Sequence, residues 1–208
     1  MKTMTTVLNS MNCKTGDKER WLKLSTKKNN PAASNPKKEQ ENIEKVRKLV
    51  DALNTGNINN IKEIIHDEYF NHESQIDLSN IDLPKEAAET IKLRSKLRGP
   101  EEFIDTVKSI RNAFSNLLYE EQEICAMDNK VFSRVIVSGT HTGAFFIFPP
   151  TGNKFSYQAV HIHRFSDNKI VEHRAIRDDL TLMMQLGIVF PKKQYEFLFN
   201  AWKRKSLQ

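Results

Sequence analysis

KFSYQAVHIHRFSDNKIVEHRAIRDD, residues 154–179, is the stretch on which the fold turns. Lys154 to Phe165 and Lys169 to Ile176 read as two strands, and the turn formers Asp167-Asn168 join them into an antiparallel hairpin. The register of that hairpin matters, because a slip of one residue sends every side chain to the opposite face. A two-residue turn at Asp167-Asn168 would pair 162 with 173 and separate His161 from His173. A three-residue loop with a bulge pairs 161 with 175 and 163 with 173. It gathers Tyr157, Ala159, His161, His163, His173 and Ala175 on one face and turns Val160, Ile162, Arg164 and Glu172 to the other. Residue types alone leave both registers open.

Downstream, Asp178 or Asp179 caps a helix that Gly187 closes, with Leu180, Leu182, Met183, Met184 and Leu186 packing against the core. Upstream, Ala144 to Phe148 is expected as a short apolar strand, stopped by Pro149-Pro150-Thr151-Gly152-Asn153. Phe145, Phe146 and Phe148 would line a cavity or a dimer face. Glu120 to Ala126 reads as another strand and turns at Asp128-Asn129. In the next, Val131, Ser133, Val135 and Val137 alternate with Phe132, Arg134 and Ile136.

Before these strands the apolar period is helical. From Glu41 onward Ile43, Val46, Leu49, Val50 and Leu53 form one stripe, and Asn54-Thr55-Gly56 stops it. Asn59 or Asn60 caps a short helix over 61–65. Residues 86–97 read as a mobile, charged helix or loop. Pro100 opens the main core helix, with Phe103, Val107, Ile110 and Phe114 on one face. Helices first and antiparallel strands after them make the class α+β.

The 208 residues suffice for one cored domain, and three parts are expected: a disordered basic leader over 1–40, a domain over 41–190 and a basic helical extension over 191–208. The net charge of +6 sits at the ends. Residues 1–41 carry nine Lys/Arg against four Asp/Glu, and 191–208 carry five against one, so the body between is mildly acidic. A nucleic-acid partner would need a basic stripe on the body and is not expected; an adaptor working through the basic ends is a third-ranked reading. Cys13 and Cys125 form no metal or disulfide pattern. No apolar run reaches membrane-spanning length and no secretory signal is evident, so the expected compartment is the cytoplasm.

The segments VRKLVDALNTGNINNIKEIIHDEYFNH (46–72), RGPEEF (98–103), GTHTG from 139, FPPTGNKFSYQAVHIHRF (148–165), KIVEHRAIRDD (169–179) and QLG (185–187) resemble, in sum, the SnoaL-like polyketide cyclases. These are the ester cyclases of the NTF2-like superfamily, and the likeness covers about residues 42–190. The resemblance implies a cone in which N-terminal helices pack on the concave face of a curved antiparallel sheet, a homodimer, and no metal or cofactor. It implies ring closure by intramolecular aldol addition on a polyketide methyl ester, which needs a base, donors toward an oxyanion and a dry cavity. By position it puts the family's pocket histidine on His161, a second histidine on His173 and a pocket asparagine on Asn71. The family's acid/base carboxylate falls on Ala175 and a pocket glutamine on Ala159, two departures.

His161-x-His163 with His173 is reminiscent of a three-imidazole zinc site. However, strand neighbours two apart lie roughly 6–7 Å apart at the backbone, no acidic support is evident, and no metal is expected. Asp178 is the nearest substitute carboxylate, although helix capping is its ordinary role. His72 is an alternative base, and His141 a packing residue. The leading expectation is cofactor-free acid/base chemistry (cyclisation, isomerisation or hydration) on a small molecule. His161 acts as base or polarising group, His173 as its partner, Asn71 as an orienting donor and Asp178 as a relay. His72, His163, Tyr157, Ala159 and Ala175 complete the expected binding surface. The rival is a non-catalytic binding or assembly module, suggested by the alanines at 159 and 175.

Overall fold

Helix α1 (Pro36–Thr55) begins at Pro36, not at Glu41, because Asn35 caps it, its side chain accepting from Lys38 N at 3.2 Å with proline in the first turn. The computed structural model describes residues 35–74 and 85–189. Most of the expected leader and the 191–208 extension, including the helix expected over 195–202, therefore lie outside the described residues. Val46, Leu49 and Ala52 of α1 are buried, as their spacing requires. The helix stops at Gly56, at φ 79, where a Cβ would stand 2.9 Å from Arg111 Nε. The Arg111 guanidinium occupies that space to hold the last carbonyls, of Leu53 and Asn54. Asn54 then bonds both backbone groups of Tyr119, donating to its O at 3.0 Å and accepting from its N at 2.7 Å.

Short helix α2 (Ile61–Ile64) leads directly into strand β1 (Ile65–Asn71) and a 3₁₀ turn over His72–Ser74. The polar run His66-Asp67-Glu68 hides β1 from a period-two reading. Helix α3 covers Lys85–Arg94, in the segment expected to be helix or loop. Helix α4 (Gly99–Ala113) starts on the expected proline. Gly99, at φ 67, is needed there, since a Cβ would lie 2.5 Å from the carbonyl oxygen of Asp67 on β1.

Four strands follow: β2 (Phe114–Met127), β3 (Lys130–His141), β4 (Lys154–Ser166) and β5 (Lys169–Arg177), then helix α5 (Asp179–Gln185). The sheet order is β1-β5-β4-β3-β2. All neighbours are antiparallel except β1 and β5, which run parallel, a correction to the all-antiparallel expectation. The strand expected over 144–148 is a tight turn in which Phe145 and Phe148 exchange backbone bonds of 3.0 and 2.9 Å. Packing explains it: Phe145 packs at a tilt on Phe114, ring centroids 4.9 Å apart, so the run half-buries this ring without joining a sheet edge.

The core has two clusters. One joins α1, α2, β1 and the start of α4 through Val46, Leu49, Ile65, Phe103, Val107 and Ile170. The other joins the end of α4, the far half of the sheet and α5 through Phe114, Val135, Val137, Phe155, Leu182 and Leu186. Helix α4 bridges them, with Phe103 and Val107 in the first and Ile110 against the second. The result is a five-stranded curved sheet with helices on its concave side, an α+β cone.

Candidate active site

The β4–β5 hairpin combines elements of both expected registers. Its turn has two residues, Asp167 and Asn168, at φ 48 and 65, and Ser166 pairs with Lys169. A bulge then intervenes: Phe165 pairs with Ile170 and Arg164 with Glu172, leaving Val171 as the extra residue. From there 163 pairs with 173 and 161 with 175, the histidine-gathering register. Tyr157, His161, His163, His173 and Ala175 all line one cavity of about 230 Å³ between sheet and helices. Ala159 is buried on the same face but belongs to the second core cluster and not to the cavity wall.

The three imidazoles stand at ring separations of 5.0 to 6.3 Å. The backbone N–H of Glu73 donates to Asn71 Oδ1 at 3.1 Å, which fixes that atom as the oxygen of the amide. His173 Nδ1 lies 2.8 Å from the same Oδ1 and must carry its proton. Neutral His173 then presents a lone pair at Nε2, and His161 Nδ1, 2.9 Å away, donates to it. By this chain His161 Nε2 is left unprotonated, buried and without a partner among the described residues. A turn at the end of β1 thus sets the proton of a ring two strands away.

Burial keeps the whole line neutral. It lowers the His161 pKa to about 4, with the Arg177 charge adding to the effect, and that of His163 to about 3. His173 is pushed well below its ordinary value by burial first and by its imidazole neighbours next. Among the described residues no group of three His, Cys, Asp or Glu side chains is disposed to hold a metal ion.

Three carboxylates and two arginines of the cavity wall are absent from the sequence-derived set: Glu73, Glu102, Asp105, Arg94 and Arg177. Glu102 is 2% exposed; it accepts from Asn71 N at 3.1 Å and Ser74 Oγ at 2.5 Å, and burial raises its pKa. Asp105 is tied to Arg94 Nε at 2.7 Å. Glu73 Oε1 accepts from Ala175 N at 3.1 Å, and its Oε2 lies 3.6 Å from Arg177 Nη2. Arg177 could have been found by carrying the set 173, 175 two residues further. Glu73 carried only a weak signal, its position two beyond an asparagine that caps a turn.

Besides Ala159, two expected site residues lie elsewhere. His72 is on the outer side, its Nε2 2.6 Å from Glu172 Oε1, since the residue that follows inward-facing Asn71 at the end of β1 points to the opposite face. Asp178 is exposed and caps α5, accepting from Thr181 N at 3.1 Å and Thr181 Oγ1 at 2.6 Å; it is not on the cavity wall. His141, fully buried, contacts Thr151 Oγ1 as a packing residue.

An α+β cone that encloses a cavity is the architecture of the NTF2-like proteins. The chain belongs within that class to the SnoaL-like polyketide cyclase family, whose model matches residues 44–186. Aklanonic acid methyl ester cyclase DnrD of Streptomyces peucetius is 33% identical over 150 residues, 72% of this chain and 92% of the relative. Nogalonic acid methyl ester cyclase of Streptomyces nogalater is 31% identical over 144 residues, 69% of this chain and 95% of the relative. The solved structure of TsrD from Streptomyces laurentii shares the fold at a TM-score of 0.57 and 19% identity, over 72% of this chain and 97% of that one. Among the described residues no helix is long and apolar enough to cross a membrane.

Proposed function

We propose that the protein is a cofactor-independent cyclase that closes a ring by intramolecular aldol addition in a polyketide-like methyl ester. A carbon flanked by carbonyls is acidified by the substrate itself, so the protein has to supply a base, a positive environment for the enolate oxygen and a dry cavity. The observation that carries this reading is the Asn71–His173–His161 line, which leaves a lone pair on a neutral ring of the cavity wall. His161 meets the substrate as an acceptor through that lone pair, His173 holds its tautomer and Asn71 anchors both. Tyr157, His163 and Ala175 shape the substrate's bed, and Arg177 provides the positive charge. The methyl-ester cyclases among the relatives support the substrate class.

The test is His161→Ala, assayed by conversion of aklanonic acid methyl ester. Turnover should fall about a hundredfold or more, with the unfolding transition retained; undiminished turnover would overturn the role of His161. The rival of a module that only binds draws on Ala159 and Ala175. Ala159 is off the cavity wall, and the Ala175 backbone is met by a carboxylate, so both motives weaken.

We extend the reading to a cytoplasmic homodimer paired through the outer sheet face, on which Ile176 stands 72% exposed. Sedimentation of Ile176→Glu should show monomer where the unaltered chain shows dimer.

A further inference from the structure

We propose that Glu73 is a catalytic carboxylate of this cavity, the group that takes the proton from the carbon between two carbonyls and later returns it. The inference rests on the aldol reading above and assigns the carbon-bound proton to one residue.

The cavity wall offers three carboxylates, and two of them are committed. Glu102 spends one oxygen on Asn71 N and the other on Ser74 Oγ, beneath the 3₁₀ turn. Asp105 is held by Arg94. Glu73 has neither the second hydrogen bond of Glu102 nor the close ion pair of Asp105. One oxygen is steadied by the Ala175 N–H at 3.1 Å, which fixes the carboxylate against β5, while the other has nothing nearer among its ion-pair partners than Arg177 at 3.6 Å. Its side chain keeps 23% of its surface exposed, so it is accessible from the cavity. Its own backbone N–H is the donor that orients Asn71, and the carboxylate and the imidazole line are therefore placed by one turn.

Charge supports the same choice. Drying a site on ligand binding strengthens a carboxylate as a base and weakens an imidazole. A protonated His161 would also place a second cation in the field of Arg177, which already lowers its pKa. A protonated Glu73 leaves Arg177 facing the enolate instead. In the step, the carbon–hydrogen pair passes into the enolate as Glu73 takes the proton. The enolate carbon bonds to the ketone carbon, the ketone π pair becomes an alkoxide, and Glu73 returns the proton to that oxygen. Substrate and product are isomers, and no other reactant is consumed. His161, with Nε2 unprotonated, accepts a hydrogen bond from a substrate hydroxyl and sets its pose.

Glu73→Gln is the discriminating variant, because its amide oxygen can still accept from Ala175 N. Two reactions are followed: loss of deuterium from C2 of methyl 3-oxo-3-phenylpropanoate, which reads proton abstraction alone, and ring closure of aklanonic acid methyl ester. Both rates should fall about a hundredfold or more in Glu73→Gln. Glu73→Asp, which keeps the carboxylate, should retain more of each and covers the case in which the amide variant fails to fold. Adding Ala175→Asp to Glu73→Gln should recover at least about tenfold, since it returns a carboxylate to the same wall. Exchange within about threefold of the unaltered protein in Glu73→Gln, with or without lost ring closure, overturns the assignment. Unaltered protein that exchanges deuterium but closes no ring overturns the cyclase reading and leaves Glu73 as the proton acceptor. Catalysis of neither reaction overturns both.

Discussion

Glu172 and His173 are neighbours on β5, and they live in opposite electrostatic worlds. Glu172 faces outward among Arg164, Arg174 and His72, and the Arg164 guanidinium leads these partners in pushing its pKa down to about 2. His173 faces inward, bonded to His161 and Asn71, and burial pushes its pKa down as well. The same direction of shift has opposite consequences, since it keeps the carboxylate charged and the imidazole neutral. One strand therefore separates a charged skin from an uncharged working face, and strand parity decides which residue belongs to which.

Exchanging the two residues, Glu172→His together with His173→Glu, strikes hardest at that contrast. It places a carboxylate among the buried rings and an imidazole among the outer arginines. We expect a loss of at least about 4 kcal/mol, larger than for an ordinary point substitution, and no turnover; urea denaturation followed by far-ultraviolet dichroism measures it. A stable fold with near-native activity would show that strand parity does not organise the site.

Acid titration sharpens the comparison more gently. The inner histidines have folded-state pKa values below the ordinary 6.5, so they bind protons mainly when the chain unfolds. Their penalty is absent above pH 6.5 and grows as the pH falls toward 4, at up to about 1.4 kcal/mol per pH unit for each ring. Glu172 acts in a lower window: its stabilisation is present above its ordinary 4.5 and is lost as the pH falls toward about 2. Glu172→Gln should cost under about 1 kcal/mol at neutral pH, because its arginine partners are solvent-screened. It should flatten only the lower limb of a stability profile taken by urea titration from pH 8 to 3. A flattened upper limb would mean that the two faces are coupled.

How far the sequence discloses this molecule follows from the length scale of each signal. Period-two alternation marked β3 and β4, and helical period marked α1 and α4, since each repeats over several residues. The set Tyr157, His161, His163, His173 and Ala175 followed from parity once the resemblance selected a register. β1 escaped notice because it is polar at three central positions and joins the sheet through a partner about a hundred residues away. Asp178 carries the sequence signal of a helix cap, its ordinary role, and is one, while His72 and Glu73 lie in a 3₁₀ turn beyond the strand's regular alternation. The glutamate faces the cavity and the histidine does not.

The parallel pairing of β1 with β5 also orders events in time. The Asn71–His173 bond closes a separation of 102 residues, whereas the His161–His173 contact closes 12. Loop closure over the longer span carries the greater entropic cost, and long-range strand pairing is slow. The imidazoles are therefore expected to meet early in folding, on a hairpin of local contacts. Their protons take up fixed places only when the earliest strand of the sheet docks against the latest, so competence trails collapse.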